Sequence, residues 1–172
     1  MVTDLRKDYS EGELPAFLHA NLGSPCLDVT TEKRQLNGGN MNEKRTITHS
    51  DLSQFTGDSI RYRSVHPRVI YTPGIRYLAE NAGAYWLINT IASYYSSPEM
   101  RKAVEEDIRV AEVQIWRMCV VDESGILTAR ADLGDPSFIR EDIAYTDFPL
   151  HQIDILGVSD AVHTTLMLPS EY

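Results

Sequence analysis

The spacing of apolar residues changes once along this chain, near Val110, and that change restricts the folds open to it. Upstream, Ile75, Leu78, Ala79, Ala82, Trp86, Ile88, Ile91, Ala92 and Tyr95 recur at helical intervals, so one stripe of a helix is buried. Downstream of Val113 apolar and polar residues alternate, as in strands with one covered face. Helices followed by a run of strands at hairpin spacing give an α+β fold, with helices packed on a largely antiparallel sheet.

The local signals set the expected elements. Thr72-Pro73 opens a long helix over residues 73–95, because Thr is a good N-cap and Pro lacks the N–H that the first helical position does not need. Ser97-Pro98-Glu99 repeats this and opens a second helix over 98–110. Gly83 inside the first helix costs roughly 1 kcal/mol relative to Ala, which predicts another element packed closely against it. Trp86 is the expected core anchor between helix and sheet. About five strands follow, over 113–121, 125–131, 138–145, 152–158 and 163–168, with a turn at 122–125. Ahead of the helices, Ser50-Asp51 caps a single turn ending at Gly57, and short strands are expected at 60–65 and 69–71.

Residues 1–46 differ in kind. Gly12, Pro15, Gly23, Pro25 and the run Asn37-Gly-Gly-Asn40 punctuate them, and only 14–22 has helical spacing. Such a segment buries too little surface to offset its ordering entropy, so it is expected to be a poorly structured extension of a single domain over 47–172. Met41, just after the Gly-Gly pair, is a candidate natural start.

Charge excludes some functions. The net charge is -9, but residues 111–172 hold three bases and eleven acids, so -8, while 41–110 carry +1. A nucleic-acid binder needs a basic face, and this C-terminal half repels phosphates. No apolar run reaches the roughly 18–20 residues of a membrane span, and the N-terminus lacks the apolar centre of a secretory signal. A cytoplasmic protein is expected. Cys26 and Cys119 are expected to be unpaired, Cys119 as a small core residue. The five histidines show no metal-ligand spacing, and no phosphate loop, dinucleotide fingerprint or Gly-x-Ser-x-Gly occurs, so neither a metal nor another cofactor is implied.

Four weak constellations remain. His66, Asp147 and His151 flank strand ends and would supply an imidazole base held by a carboxylate, as in a small hydrolase, although Asp147 would equally cap its own turn. Arg61, Arg63 and Arg68 interleave with Tyr62, His66 and Tyr71, a pattern for single-stranded nucleic acid, although those arginines would equally pair with the acidic C-terminal half. Tyr94 and Tyr95 near a helix end suit an interface. The acids Asp132, Asp135, Glu141, Asp142, Asp147 and Asp154 would form either a partner-binding face or ordinary strand-edge charges.

A further set of words occurs in order: Phe55-Thr-Gly57, Tyr71-Thr-Pro-Gly-Ile-Arg-Tyr-Leu-Ala-Glu80, Gly83-Ala-Tyr-Trp-Leu87, Gln114-Ile-Trp116, Thr146-Asp-Phe-Pro-Leu150 and Leu168-Pro-Ser-Glu-Tyr172. Together they resemble an uncharacterised family of small bacterial, plasmid- and phage-associated proteins, a domain of unknown function, from about Leu52 to Tyr172. The resemblance implies that the first forty or so residues lie outside the family domain, and that Leu168-Pro-Ser-Glu-Tyr172 is an intended C-terminus. It implies no activity and no catalytic residues. The expected function is that of a small non-enzymatic accessory or interaction module of a mobile-element or phage-linked gene. It would bind an as yet unknown protein partner through the acidic sheet side or the tail residues Ser170, Glu171 and Tyr172.

Overall fold

The computed structural model describes residues 47–57 and 59–172. The expectations for residues 1–46, including the helical spacing at 14–22 and a start at Met41, lie outside the described residues. The elements run α1 (His49–Ser53), β1 (Tyr62–Arg63), β2 (Val69–Tyr71), α2 (Pro73–Ala82), α3 (Tyr85–Tyr94), α4 (Pro98–Glu106), a 3-10 turn (Ile108–Ala111), β3 (Val113–Val121), β4 (Ser124–Arg130), β5 (Ile139–Ile143), β6 (Gln152–Ser159), β7 (Thr164–Met167) and a closing 3-10 turn (Pro169–Glu171). The fold is α+β.

The sheet has seven strands in the order β1-β2-β7-β6-β3-β4-β5, against the five expected. The two extra strands are β1 and β2, which join through β7. β2 and β7 pair in parallel, Val69 opposite Thr164 and Tyr71 opposite Leu166, and every other pair is antiparallel. Strand β1 keeps only Tyr62 and Arg63 of the expected 60–65, and β5 is shorter than 138–145.

One expected long helix is two. Gly83 adopts φ 65°, its N–H and that of Ala84 both return to the Ala79 carbonyl, and α2 stops. Among the described residues no heavy atom beyond its own helix and chain neighbours lies within 4 Å of where a Cβ would stand, so Gly83 is there for its left-handed conformation and not for close packing. The break also moves the phase of α3. Leu87, Ile88, Ile91 and Ala92 are buried, while Trp86 is only half-buried at the margin. Trp116 on β3 is the core anchor instead, fully buried beneath Tyr94 and Tyr95 at ring distances of 5.6 and 6.2 Å.

Alternation on the strands decides which face the helices cover. Trp116, Met118, Leu127, Ala129, Ile153, Ile155 and Leu166 meet Ile75, Leu78, Leu87 and Ile91 in one core. Cys119 has the other parity. It is 3% exposed, stands outside that core, and is disulfide-bonded to a residue outside those described, which corrects the expectation of an unpaired thiol.

Two caps differ from expectation. Thr48, not Ser50, caps α1: its hydroxyl accepts the Asp51 N–H and the Asp51 carboxylate accepts the Thr48 N–H at 2.9 Å. The second long helix ends at Glu106, and Asp107 caps the following 3-10 turn through the Arg109 N–H. That early stop leaves Ile108 three-quarters exposed instead of buried on a helix face. Among the described residues no helix is long and apolar enough to cross a membrane.

Candidate functional site

The tail residues are part of the domain. The Glu171 carboxylate accepts hydrogen bonds from the Thr72 hydroxyl at 2.5 Å, the Gly74 N–H at 3.0 Å and the Leu168 N–H at 3.0 Å. It occupies the N-terminus of α2, where unpaired N–H groups and the helix dipole favour an anion. Thr72 is buried and gives its hydroxyl to this carboxylate instead of capping its own helix. A Cβ on Gly74 would stand 2.6 Å from the Glu171 carboxylate and 2.7 Å from Leu168. The words Tyr71-Thr-Pro-Gly and Leu168-Pro-Ser-Glu-Tyr are thus two halves of one contact. Glu171 is spent on the fold. Ser170 lines a hollow of about 240 Å³ with His49 and Asp154, and Tyr172 is exposed.

The enzyme constellation is not assembled. Register puts His66 at the end of the sheet where β2 and β7 begin, and His151 just before β6, at the opposite end. The strand between spans about 25 Å at roughly 3.3 Å per residue. His66 Nδ1 accepts from the Arg68 N–H and Nε2 meets the Ser96 hydroxyl at 2.8 Å, so the ring is held as a structural link from the β1–β2 turn to the end of α3. Asp147 and His151 are both exposed and share no hydrogen bond. The turn is capped by Thr146, whose hydroxyl accepts the Phe148 N–H at 3.2 Å, not by Asp147.

The arginine and acid patterns separate likewise. Tyr62 stacks on Tyr71, with the Arg76 guanidinium 4.6 Å from its centroid, so that ring is not an open platform for a base. Arg61, Arg63 and Arg68 are exposed, and Arg63 and Arg68 form no ion pair with the acidic C-terminal half. The acids there have closer partners: Asp154 holds Arg117 through two bonds of 2.7 and 2.8 Å, Asp135 meets Arg109 and Asp142 meets Arg140. Glu141 accepts the Tyr94 hydroxyl at 2.9 Å. Of the six candidate acids, Asp132 and Asp147 hold no cation.

Tyr94 and Tyr95 are half-buried, and both hydroxyls are bonded within the domain. Burial, and then the Glu141 bond, push the Tyr94 hydroxyl up to about 12. Burial pushes Tyr95 up as well, while the Trp116 N–H donated to it acts the other way. The Tyr95 hydroxyl donates to Gln114 Oε1 at 2.7 Å, and the Gln114 amide donates to the Val110 carbonyl. Gly157 is the slot for this chain of bonds, since a Cβ there would stand 2.1 Å from the Tyr95 oxygen.

That network floors a cleft of about 430 Å³ at the end of the sheet that carries His66. Its walls are α4 and the 3-10 turn (Met100, Arg101, Val104, Glu105, Val110) on one side and the β6–β7 turn (residues 159–164) on the other, with Arg68 at the rim. The turn is rigidly built. Asp160 Oδ1 accepts the Val162 and His163 N–H groups, both at 2.6 Å, and those bonds hold its carboxyl below the usual range. The Ser159 and Thr164 hydroxyls bond each other at 2.9 Å, and the Thr164 N–H reaches the Arg68 carbonyl. Ser159 therefore lacks a base. What faces the cleft unbonded is the guanidinium of Arg68, that of Arg101 and the His163 ring, beside Glu105. No group of three or more His, Cys, Asp or Glu placed to hold a metal occurs among the described residues.

Residues 46–172 match a family of unknown function, DUF6876. The chain belongs to it. No curated protein and no solved structure gives a match. The matched DUF6876 segment contains both halves of the Glu171 contact and every wall of the cleft. Of the cleft, Arg68 and Tyr95 stood among the candidate residues. Arg101 and His163 carry no local signal, because they belong to an ordinary amphipathic helix and an ordinary hairpin.

Proposed function

We propose that the chain is a non-enzymatic protein-interaction module whose partner docks at the end of the sheet that carries the cleft. One observation carries this reading. Val65, Ile108 and Val162, exposed by 77%, 75% and 63%, stand in three separate turns that register brings to this one end, around a cleft whose two arginines are unpaired. Exposed apolar side chains gathered around uncommitted charge are what a docking surface needs and what a solvated face avoids. Such a role suits an accessory protein of a mobile-element or phage-linked gene. A cytoplasmic location is part of this proposal, and the Cys119 disulfide stands against it. Intact-mass measurement after alkylation in native extract, with and without reductant, decides between a reduced and an oxidised compartment.

The test is photo-crosslinking of the full-length chain in its own cells, with benzoylphenylalanine at Val162 or, as control, at Tyr145. Tyr145 is 69% exposed and lies at the opposite end of the sheet. The expected result is a single protein adduct from position 162 and none from 145. Adducts from 145 alone, or from neither, overturn the reading.

A further inference from the structure

We infer that the cleft between α4 and the β6–β7 turn is a receptor for an acidic segment of that partner, one in which Asp or Glu stands beside an aliphatic side chain. This rests on the interaction reading and adds the chemistry of the ligand. In a chain of net charge -9, a base without an acid leaves charge open to a partner, and two such arginines stand on this one cleft. Arg76, Arg109, Arg117 and Arg140 each hold a carboxylate. Arg68 and Arg101 hold none, although Glu105 follows Arg101 at the helical i, i+4 spacing that favours a pair. His163 adds a third basic group on the same cleft, beside Asp160, whose carboxylate accepts two backbone N–H groups and is also stabilised by His163.

The floor sets the rest of the ligand. Met100 and Val110 are buried, Val104 is half-buried, and Val162 is exposed at the lip, so an aliphatic side chain finds an apolar seat between the bases. Among the described residues lining the cleft, the aromatic ring is that of Tyr95, which is turned into the Gln114 and Trp116 contacts and offers a base no open face. The net charge repels a polyanion at range, while a short acidic segment brings only a few charges. A protein segment therefore fits, and a nucleic acid does not.

The experiment is selection of a random dodecapeptide display library on the immobilised full-length chain, with R68E/R101E as a second target. Both arginines are exposed, and the expected melting temperature of the variant is that of the parent. R68Q/R101Q serves if the reversed variant melts lower. Expected peptides carry Asp or Glu next to Leu, Ile, Val or Met. They lose at least about tenfold in affinity to the reversed variant, which instead enriches Lys and Arg. Peptides without acids, equal binding to both targets, no enrichment at all, or competition by single-stranded oligothymidine at lower concentration than the peptides overturns the inference. If the peptides fail while crosslinking from Val162 still finds one partner, the acidic chemistry falls and the interaction reading stands. If the crosslink fails as well, both fall.

Discussion

A carboxylate that accepts from Thr72, Gly74 and Leu168 leaves three donors exposed to the loss of one side chain. Removing an acceptor from partly buried donors costs more than the net value of the bonds, because each donor then lacks both its partner and water. Glu171→Ala is expected to lower stability by about 2–3 kcal/mol in urea denaturation, and Glu171→Gln by less, since the amide keeps one acceptor oxygen. Gly74→Ala should destabilise similarly through the clash with that carboxylate. An unchanged midpoint for both Glu171 variants would mean that the tail is not held. Tyr94 supplies the pH dependence. Its hydroxyl titrates near 12 in the fold against 10.0 unperturbed, so the fold favours the protonated form. The stabilisation is fully present below about pH 10 and is lost as pH rises toward 12. Tyrosinate absorbance should show the Tyr94 step displaced to high pH in the parent. Tyr94→Phe should lose that step and begin base denaturation at higher pH. Loss of the Glu141 bond should cost it some stability at neutral pH.

Among the elements, β3, β4 and β6 were legible because each has one covered face and enough length to display its alternation. Strands β1 and β2 were legible as short strands, but not as members of this sheet. Their place in the sheet depends on the parallel pairing of β2 with β7, nearly a hundred residues away, which no local pattern encodes. The break at Gly83 was misread for a different reason. A mid-pattern glycine signals either close packing or a left-handed cap, and periodicity alone does not tell them apart. Substitution does. With open space around it and φ 65°, Gly83→Ala is expected to cost about 1 kcal/mol from backbone strain alone, and Gly83→Asn distinctly less, because Asn tolerates the left-handed region. Thermal melts read both, and a packing role would make the larger Asn the worse of the two. The cleft was illegible for a related reason. Its walls come from four separated stretches, and what marks it, two arginines lacking acids, is a statement about neighbours in space.

At the scale of the whole molecule, the sheet divides into a centre and a flank. β3 lies between β4 and β6 and carries Trp116 at the bottom of the core, whereas β1 is a two-residue edge strand attached through β2. The flank of β1, β2 and β7 is closed by the tail: the Thr72 N–H reaches the Leu166 carbonyl, and Glu171 ties the start of α2 to the end of β7. Opening free energies across a fold run from near zero at such margins to the global value at the centre. Amide exchange in β3 and β6 is therefore expected to be slower than in β1 by on the order of a thousandfold. Removal of Ser170, Glu171 and Tyr172 should widen the gap selectively. β2, β7 and the first turn of α2 should lose protection, while β3, β4 and β5, which share no bond with the tail, should keep theirs. Uniform loss across all strands would show that the sheet opens as one cooperative unit, and the tail would then secure the whole domain instead of its flank. The outcome bears on the cleft, because Arg68 enters β2 and His163 enters β7. A tail that secures only this flank is also what holds those two bases opposite Arg101 on α4. Truncation should then weaken capture of acidic peptides even where the centre of the fold remains intact.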